Sequence, residues 1–182
     1  SDGLSTFTSM NLNRDITRRY KNIFDSKNGF GSVSGSLSYQ KTYNKPDQNL
    51  TFSYSVDASP MSTDITSEIS PEINYIGYKQ HSLNDAKGME HTVQVDYYDP
   101  LNKKHMIEVG GKYILRQNTS ESKVERYAEN VWTDDPARVN DLDYDQHIGS
   151  MYGGYAYKYK TLTAKAGFRG EYTFNDGLSK SY

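Results

Sequence analysis

The chain has 182 residues, about one domain's worth, with 21 Lys and Arg against 23 Asp and Glu. That balance leaves no basic footprint for nucleic acid, and the absence of cysteine removes disulfide scaffolds, thiolate zinc sites and cysteine nucleophiles. Only 35% of residues are apolar, yet 17 are tyrosine, and such aromatic richness argues against wholesale disorder.

No apolar run reaches the roughly 18–20 residues of a membrane helix. The N-terminus lacks a charged start followed by an apolar stretch, so no signal peptide is expected there. Neither observation bears on a membrane β-barrel, whose strands carry no long apolar run.

In chain order, residues 1–29 read as an outer loop with a possible strand around Thr6 to Leu12. Period-two alternation then takes over, the mark of a strand with unlike faces. Val33, Gly35, Leu37, Tyr39 and Tyr43 alternate with Ser32, Ser34, Ser36 and Ser38. After a turn at Lys45-Pro46-Asp47-Gln48, Leu50, Phe52, Tyr54, Val56 and Ala58 oppose Thr51, Ser53, Ser55 and Asp57. The unit recurs in 89–116, turning near Asn102, and in 147–175, turning at Lys160-Thr161. Three hairpins are therefore expected, over 30–59, 89–116 and 147–175.

Residues 60–88 and 117–146 are long and polar. They read as loops or strand extensions, with a short helix as an alternative over Ser120 to Asn130. Parity constrains the pairing, because a one-residue slip turns every side chain to the other face. The first hairpin needs an even loop, placing Tyr39 opposite Tyr54 and Leu37 opposite Val56. The second needs an odd loop such as Pro100 to Lys104, with His91 opposite Tyr113 and His105 opposite Asp99. The third places Tyr157 opposite Ala164 and Tyr155 opposite Ala166.

The expected fold is thus all-β, an antiparallel up-and-down meander of about six to seven long strands forming a segment of a transmembrane β-barrel. Short turns gather at one end and long excursions at the other, as in bacterial barrels. The polar face suits a hydrated lumen. Tyr39, Tyr43, Tyr97, Tyr98, Tyr157 and Tyr159 near the turns, with Tyr54, Tyr113, Tyr172 and Phe174 farther along, suit the two aromatic girdles of a membrane barrel.

Ala166-Gly167-Phe168-Arg169-Gly170-Glu171-Tyr172-Thr173 resembles the AGLRxEYT strand of certain TonB-dependent receptor barrels, in the outer membrane protein β-barrel family. Phe168 and Gly170 stand where Leu and Ala are common. The resemblance extends over most of residues 30–174. It implies a parent receptor in the bacterial outer membrane, with a plug and about 22 strands, importing a scarce ligand. Six or seven strands cannot close that wall, so the chain is expected to be an excised segment of it. Its partners would be the lipid bilayer and the remainder of the barrel. As an isolated piece, with two open edges and one apolar face, it is expected to form a homo-oligomer.

Ligand contacts are expected from the loop aromatics Tyr127, Trp132 and Tyr144. No cofactor or metal is expected: Asp141, Asp143 and Asp145 resemble the start of a calcium loop, but Gln146 and Tyr152 stand where its Gly and Glu belong. The four histidines, His81, His91, His105 and His147, read as solvated. No catalytic motif is present, and an enzyme is not expected. The alternative is a soluble all-β binding module, for example one for carbohydrate, with Val33, Leu37, Tyr39, Val93 and Val109 in a closed core.

Overall fold

The computed structural model describes residues 2–128 and 130–181. They form one antiparallel sheet of nine strands: β1 (Asp2–Met10), β2 (Ile16–Phe30), β3 (Val33–Thr42), β4 (Asn49–Ile73), β5 (Tyr78–Pro100), β6 (His105–Ala128), β7 (Val131–Asp134), β8 (Asn140–Tyr159) and β9 (Leu162–Ser181). A short 3-10 turn, Pro136–Arg138, follows β7. The meander runs β1-β2-β4-β5-β6-β8-β9, with β3 on β4 and β7 on β6.

Nine strands exceed the expected six or seven for a local reason. β2 and β3 lie along the same edge of β4 in one unbroken register, Phe30 opposite Met61 and Val33 opposite Ala58. The interruption at Gly31-Ser32 lies beside Pro60, which has no N–H to lend to the ladder. Gly31 N–H still donates to the Pro60 carbonyl at 3.0 Å. The remaining extra strands are β1, where residues 1–29 were expected to be mostly loop, and the four-residue β7.

The polar segments 60–88 and 117–146 are strand extensions for most of their length. β4 has 25 residues, β5 23 and β6 24. The helix alternative over Ser120 to Asn130 is overturned, because β6 continues to Ala128; Glu129 lies outside the described residues. Thr119, Ser120, Ser122 and Val124 are compatible with extension; the β5 ladder runs past all four, the β8 ladder reaches Ser120, and beyond it Ser122 N–H donates to Asp141 Oδ1 and the Val124 carbonyl accepts from Asp135 N–H.

The inner turns test the parity argument. The third hairpin forms as expected, with Tyr157 opposite Ala164 and Tyr155 opposite Ala166. Its turn is Lys160-Thr161, and Lys160 takes a φ of 52°. The first is displaced by two residues: Leu37 opposes Tyr54 and Tyr39 opposes Phe52. Gln48 N–H donates to the Lys45 carbonyl, while the Gln48 carbonyl accepts from Tyr43 N–H, both at 3.2 Å. One residue thus closes the turn and the strand pair together, which shifts the register. The second also moves by two: His91 opposes Leu115, and Pro100 opposes Met106. There Asn102 Oδ1 accepts from Lys104 N–H at 2.9 Å and moves the turn towards Lys103-Lys104. Both displacements are even, so the faces stay as parity requires.

Little of this sheet is buried. Among the described residues only Gly110, Val124, Ser150 and Ala156 fall in the buried class. Val33, Leu37 and Tyr39, needed inside a closed soluble core, are 72, 64 and 62% exposed.

Candidate functional site

The ladders align side chains into rows that cross the sheet. One row on the apolar face reads Leu37, Tyr54, Val93, Tyr113, Gly149 and Tyr172. The next row towards the inner turns reads Tyr39, Phe52, Val95, Gly111, Met151 and Gly170. On β6 the apolar stretch runs from Ile107 to Leu115, close to the roughly 9–11 residues of a tilted membrane strand. Met151, Phe168 and Tyr172 are 72, 75 and 73% exposed on this face. Such a surface is costly in water and suited to lipid.

Tyrosine–histidine pairs stand at the margins of this band, each joining diagonal neighbours on adjacent strands. Tyr54 Oη and His91 Nδ1 are hydrogen-bonded at 2.8 Å, as are Tyr113 Oη and His147 Nδ1 at 2.7 Å. His105 pairs in the same way with Tyr155 near the inner turns. These three histidines are therefore partnered within the girdles, where solvated side chains had been expected. A ring with a satisfied polar tip is the form that membrane interfaces favour.

The opposite face carries the charges of this zone. Arg116 Nε donates to Glu90 Oε2 at 2.5 Å and its Nη1 to Gln146 Oε1 at 3.1 Å. Lys165 Nζ lies 2.7 Å from Glu108, and Arg169 Nη2 2.8 Å from Glu171 Oε2. Tyr152 reaches across β6 to donate to Asp96 and accepts from Gln94 Nε2 at 3.1 Å. That reach depends on Gly110, where a Cβ would stand 2.5 Å from the Tyr152 ring. The result is a hydrogen-bonded wet wall with no buried unpaired charge among the described residues.

Beyond the row of Val56, His91, Leu115, His147 and Phe174, the strands continue outward and their character changes. The continuation of the apolar face becomes an ion-pair surface. Lys21–Glu72 is 2.8 Å, Glu68–Lys79 2.9 Å and Lys123–Glu125 2.6 Å. His81 bridges three strands, Nε2 to Asp64 at 2.9 Å on β4 and Nδ1 to Glu125 at 3.3 Å on β6. Burial opposes protonation of His81, but hydrogen bonds and charge from Asp64 and Glu125 outweigh it and raise its pKa. Lys123 and then His81 hold Glu125 below its ordinary value.

The loop aromatics are divided between the faces. Tyr127 on β6 and Trp132 on β7 are directly paired, with ring centroids 5.2 Å apart, on the ion-pair face. Trp132 also meets His81 edge-on at 6.3 Å. Tyr144 lies on the other face of β8, opposite Asn118, away from both. Asp141, Asp143 and Asp145 lie in β8 rather than in a loop. Successive members stand about 7 Å apart along the strand, so they do not converge on one ion.

Sequence reading missed the rim formed by Arg18, Tyr75, Tyr78 and Arg126. A cavity of about 480 Å³ is lined there by these residues with Asn74 and Ile76. Arg126 lies over the Tyr78 ring at 4.5 Å, and Tyr75 stacks on Tyr20 at 4.2 Å. The signal was available in the parity of β5 and β6, but it becomes visible only once 60–88 and 117–146 are known to be strands.

A lipid-suited face, an opposed wet face, two aromatic girdles and short turns at one end define the wall of an outer-membrane β-barrel. The model of the Outer membrane protein beta-barrel family matches residues 41–182, and the chain belongs to that family. Its place is the bacterial outer membrane. No curated protein matches the chain.

Proposed function

We propose that the chain supplies wall strands to a TonB-dependent receptor that imports a scarce ligand. The observation that carries this reading is the β9 strand from Ala166 to Thr173, whose sequence resembles that of such receptors. Its Lys165, Arg169 and Glu171 project to the wet face. In this reading the lipid bilayer covers the apolar face, and the rest of the barrel pairs with the open edges at β1, β3 and β9. The isolated piece associates with itself to cover the same surfaces. The protein has no enzymatic role, and Tyr127, Trp132 and Tyr144 contact ligand as it approaches. Because the aromatics lie on two faces, Tyr144 meets ligand inside the wall, and Tyr127 and Trp132 outside it. The soluble-module alternative is not favoured, given the family membership and the exposed apolar face.

The test compares solute depletion from the medium by cells with and without the parent gene, each with and without TonB. The expected result is at least one solute whose depletion needs both. Depletion that needs the parent but not TonB would remove the energised-receptor reading.

A further inference from the structure

We propose that the outer rim of the wet face is an anion site, built by Arg18 and Arg126 against Tyr75 and Tyr78, for a small ring-bearing carboxylate or phosphate. This rests on the reading of that face as the inside of a receptor wall.

The first observation is a segregation of charge. Outward from the row of Asp57 and Glu90, the strand positions on the wet face are, apart from Arg18 and Arg126, polar-neutral, aromatic or aliphatic. On β5 they read Gly88, Ala86, Asn84, Ser82, Gln80 and Tyr78, and on β6 Asn118, Ser120, Ser122, Val124 and Arg126. On β4 they read Ser59, Met61, Thr63, Ile65, Ser67 and Ile69. None of these outer positions on the wet face, on any strand, is Asp or Glu among the described residues. The carboxylates of this region, Asp64, Glu68, Asp85, Glu121 and Glu125, all lie on the other face. The turn after β7 brings one carboxylate here, Asp135, and Arg138, bonded to Gln80, pairs with it at 3.4 Å; a surface polar enough to be wet, with no negative charge on its strands, admits anions without repelling them.

The second observation is that both arginines are available. Arg126 has a ring contact with Tyr78 but no carboxylate partner among the described residues, and Arg18 has none either. By contrast, Lys21, Lys79 and Lys123 on the opposite face are all paired. An arginine stacked on an aromatic keeps its planar fork oriented while leaving its N–H edge free, the geometry that carboxylates and phosphates accept.

The third is the wall. Phe7, Tyr20 and Tyr75 form a stacked series, with centroids 5.0 and 4.2 Å apart, beside the cavity. With Tyr78 they offer flat apolar surface next to the guanidinium groups. A ring carrying one negative group matches both features. A lipid headgroup does not, because the cavity opens on the wet face and lies far outward of the apolar band.

The experiment uses the complete parent barrel in detergent, with benzoate, phenyl phosphate and neutral benzamide as probes, followed by saturation-transfer NMR and calorimetry. The expected result is binding of both anions at least about tenfold tighter than of benzamide, weakening with added salt. R18Q/R126Q should lose roughly tenfold or more in benzoate affinity, while K79Q on the opposite face leaves it unchanged. Equal binding of benzoate and benzamide by the wild-type barrel, or no binding of either anion, overturns the proposal without recourse to a variant. Equal losses in K79Q and R18Q/R126Q would also overturn it. Benzoate binding by a barrel whose uptake ignores TonB would leave the site standing and remove the receptor reading. TonB-dependent uptake without anion binding would do the reverse.

Discussion

The inner and outer parts of the same strands use their two faces in opposite ways. Between the short turns and the row of Asp57, Glu90 and Arg116, charges such as Glu90, Arg116, Glu108 and Lys165 lie on the wet face, opposite an apolar one. Farther out, the face that was apolar carries Lys21, Glu68, Glu72, Lys79, His81, Lys123 and Glu125, while its reverse keeps Ser, Asn, Gln and aromatics. Nothing in the backbone changes at the boundary: the ladders of β4, β5, β6, β8 and β9 cross it without a bulge. The difference therefore lies in the solvent each side chain meets. Lipid on one side forces charges inward, and water on both sides allows them outward, where they can pair at little cost.

The largest way to break this comparison is a charge placed on one strand and one face at two heights. Val95→Arg, in the apolar band, should destabilise the parent barrel in lipid vesicles by about 2–4 kcal/mol. Leu83→Arg, on the same face of β5 but beyond the band, should change it by less than about 0.5 kcal/mol. Denaturant titration of vesicle-inserted protein reads both, and equal effects would place the boundary elsewhere.

A smaller effect distinguishes the two faces within the inner zone. A side chain at Gly110 meets the Tyr152 ring, so Gly110→Val should cost about 1–3 kcal/mol and detach Tyr152 from Asp96. Gly149 on the lipid side meets nothing within 4 Å, and Gly149→Ala should stay within about 0.5 kcal/mol. The same titration compares them; a costly Gly149→Ala would show that this face is packed rather than lipid-exposed.

The outer zone should respond to pH through His81 and Glu125. His81 has its folded pKa raised above the ordinary 6.5, so its tie to Asp64 and Glu125 is complete below about that pH and is lost as pH rises through the folded value. Glu125 is shifted the other way: its contribution is present above its ordinary 4.5 and lost as pH falls through its lowered value. Protection factors for hydrogen exchange over the outer parts of β4, β5 and β6, with the base-catalysed intrinsic rate divided out, should therefore be highest at mildly acidic pH and lower at pH 8. His81→Gln should remove the alkaline limb; a limb that survives would belong to another group. The smallest effect is expected at Glu68→Gln, where an exposed pair with Lys79 is lost and the unfolding midpoint should not move measurably.

Much of the inner zone was legible in the sequence because period-two alternation is strong wherever one face meets lipid. The third hairpin was legible to the residue, since a two-residue turn leaves no freedom of register. In the first two hairpins parity fixed the faces but not the register. The bonding of Gln48 and the side chain of Asn102 decided that, and neither has a periodic signature. The outer zone was the hardest to read. With water on both sides, alternation between polar and charged residues looks like a loop, so β1, β2 and the outer parts of β4 to β6 were obscured. Tyr127, Trp132 and Tyr144 were picked out alike as loop aromatics; the first two meet, whereas Tyr144 belongs to a strand whose parity turns it to the other side. The arginine rim was hidden for the same reason.

The most direct test of the central claim uses the chain's lack of cysteine. Single cysteines along β5 of the parent barrel in lipid, from Tyr97 out to His81, would carry a nitroxide label. Its collisions with oxygen and with a water-soluble nickel complex would then be measured. The account predicts that labels at residues 97, 95 and 93 meet oxygen and not nickel, and that those at 96, 94 and 92 meet nickel. Outward of residue 89, both alternate sets should meet nickel. Nickel access at 95 and 93, or protection of those positions from both reagents as in a dry core, would contradict it.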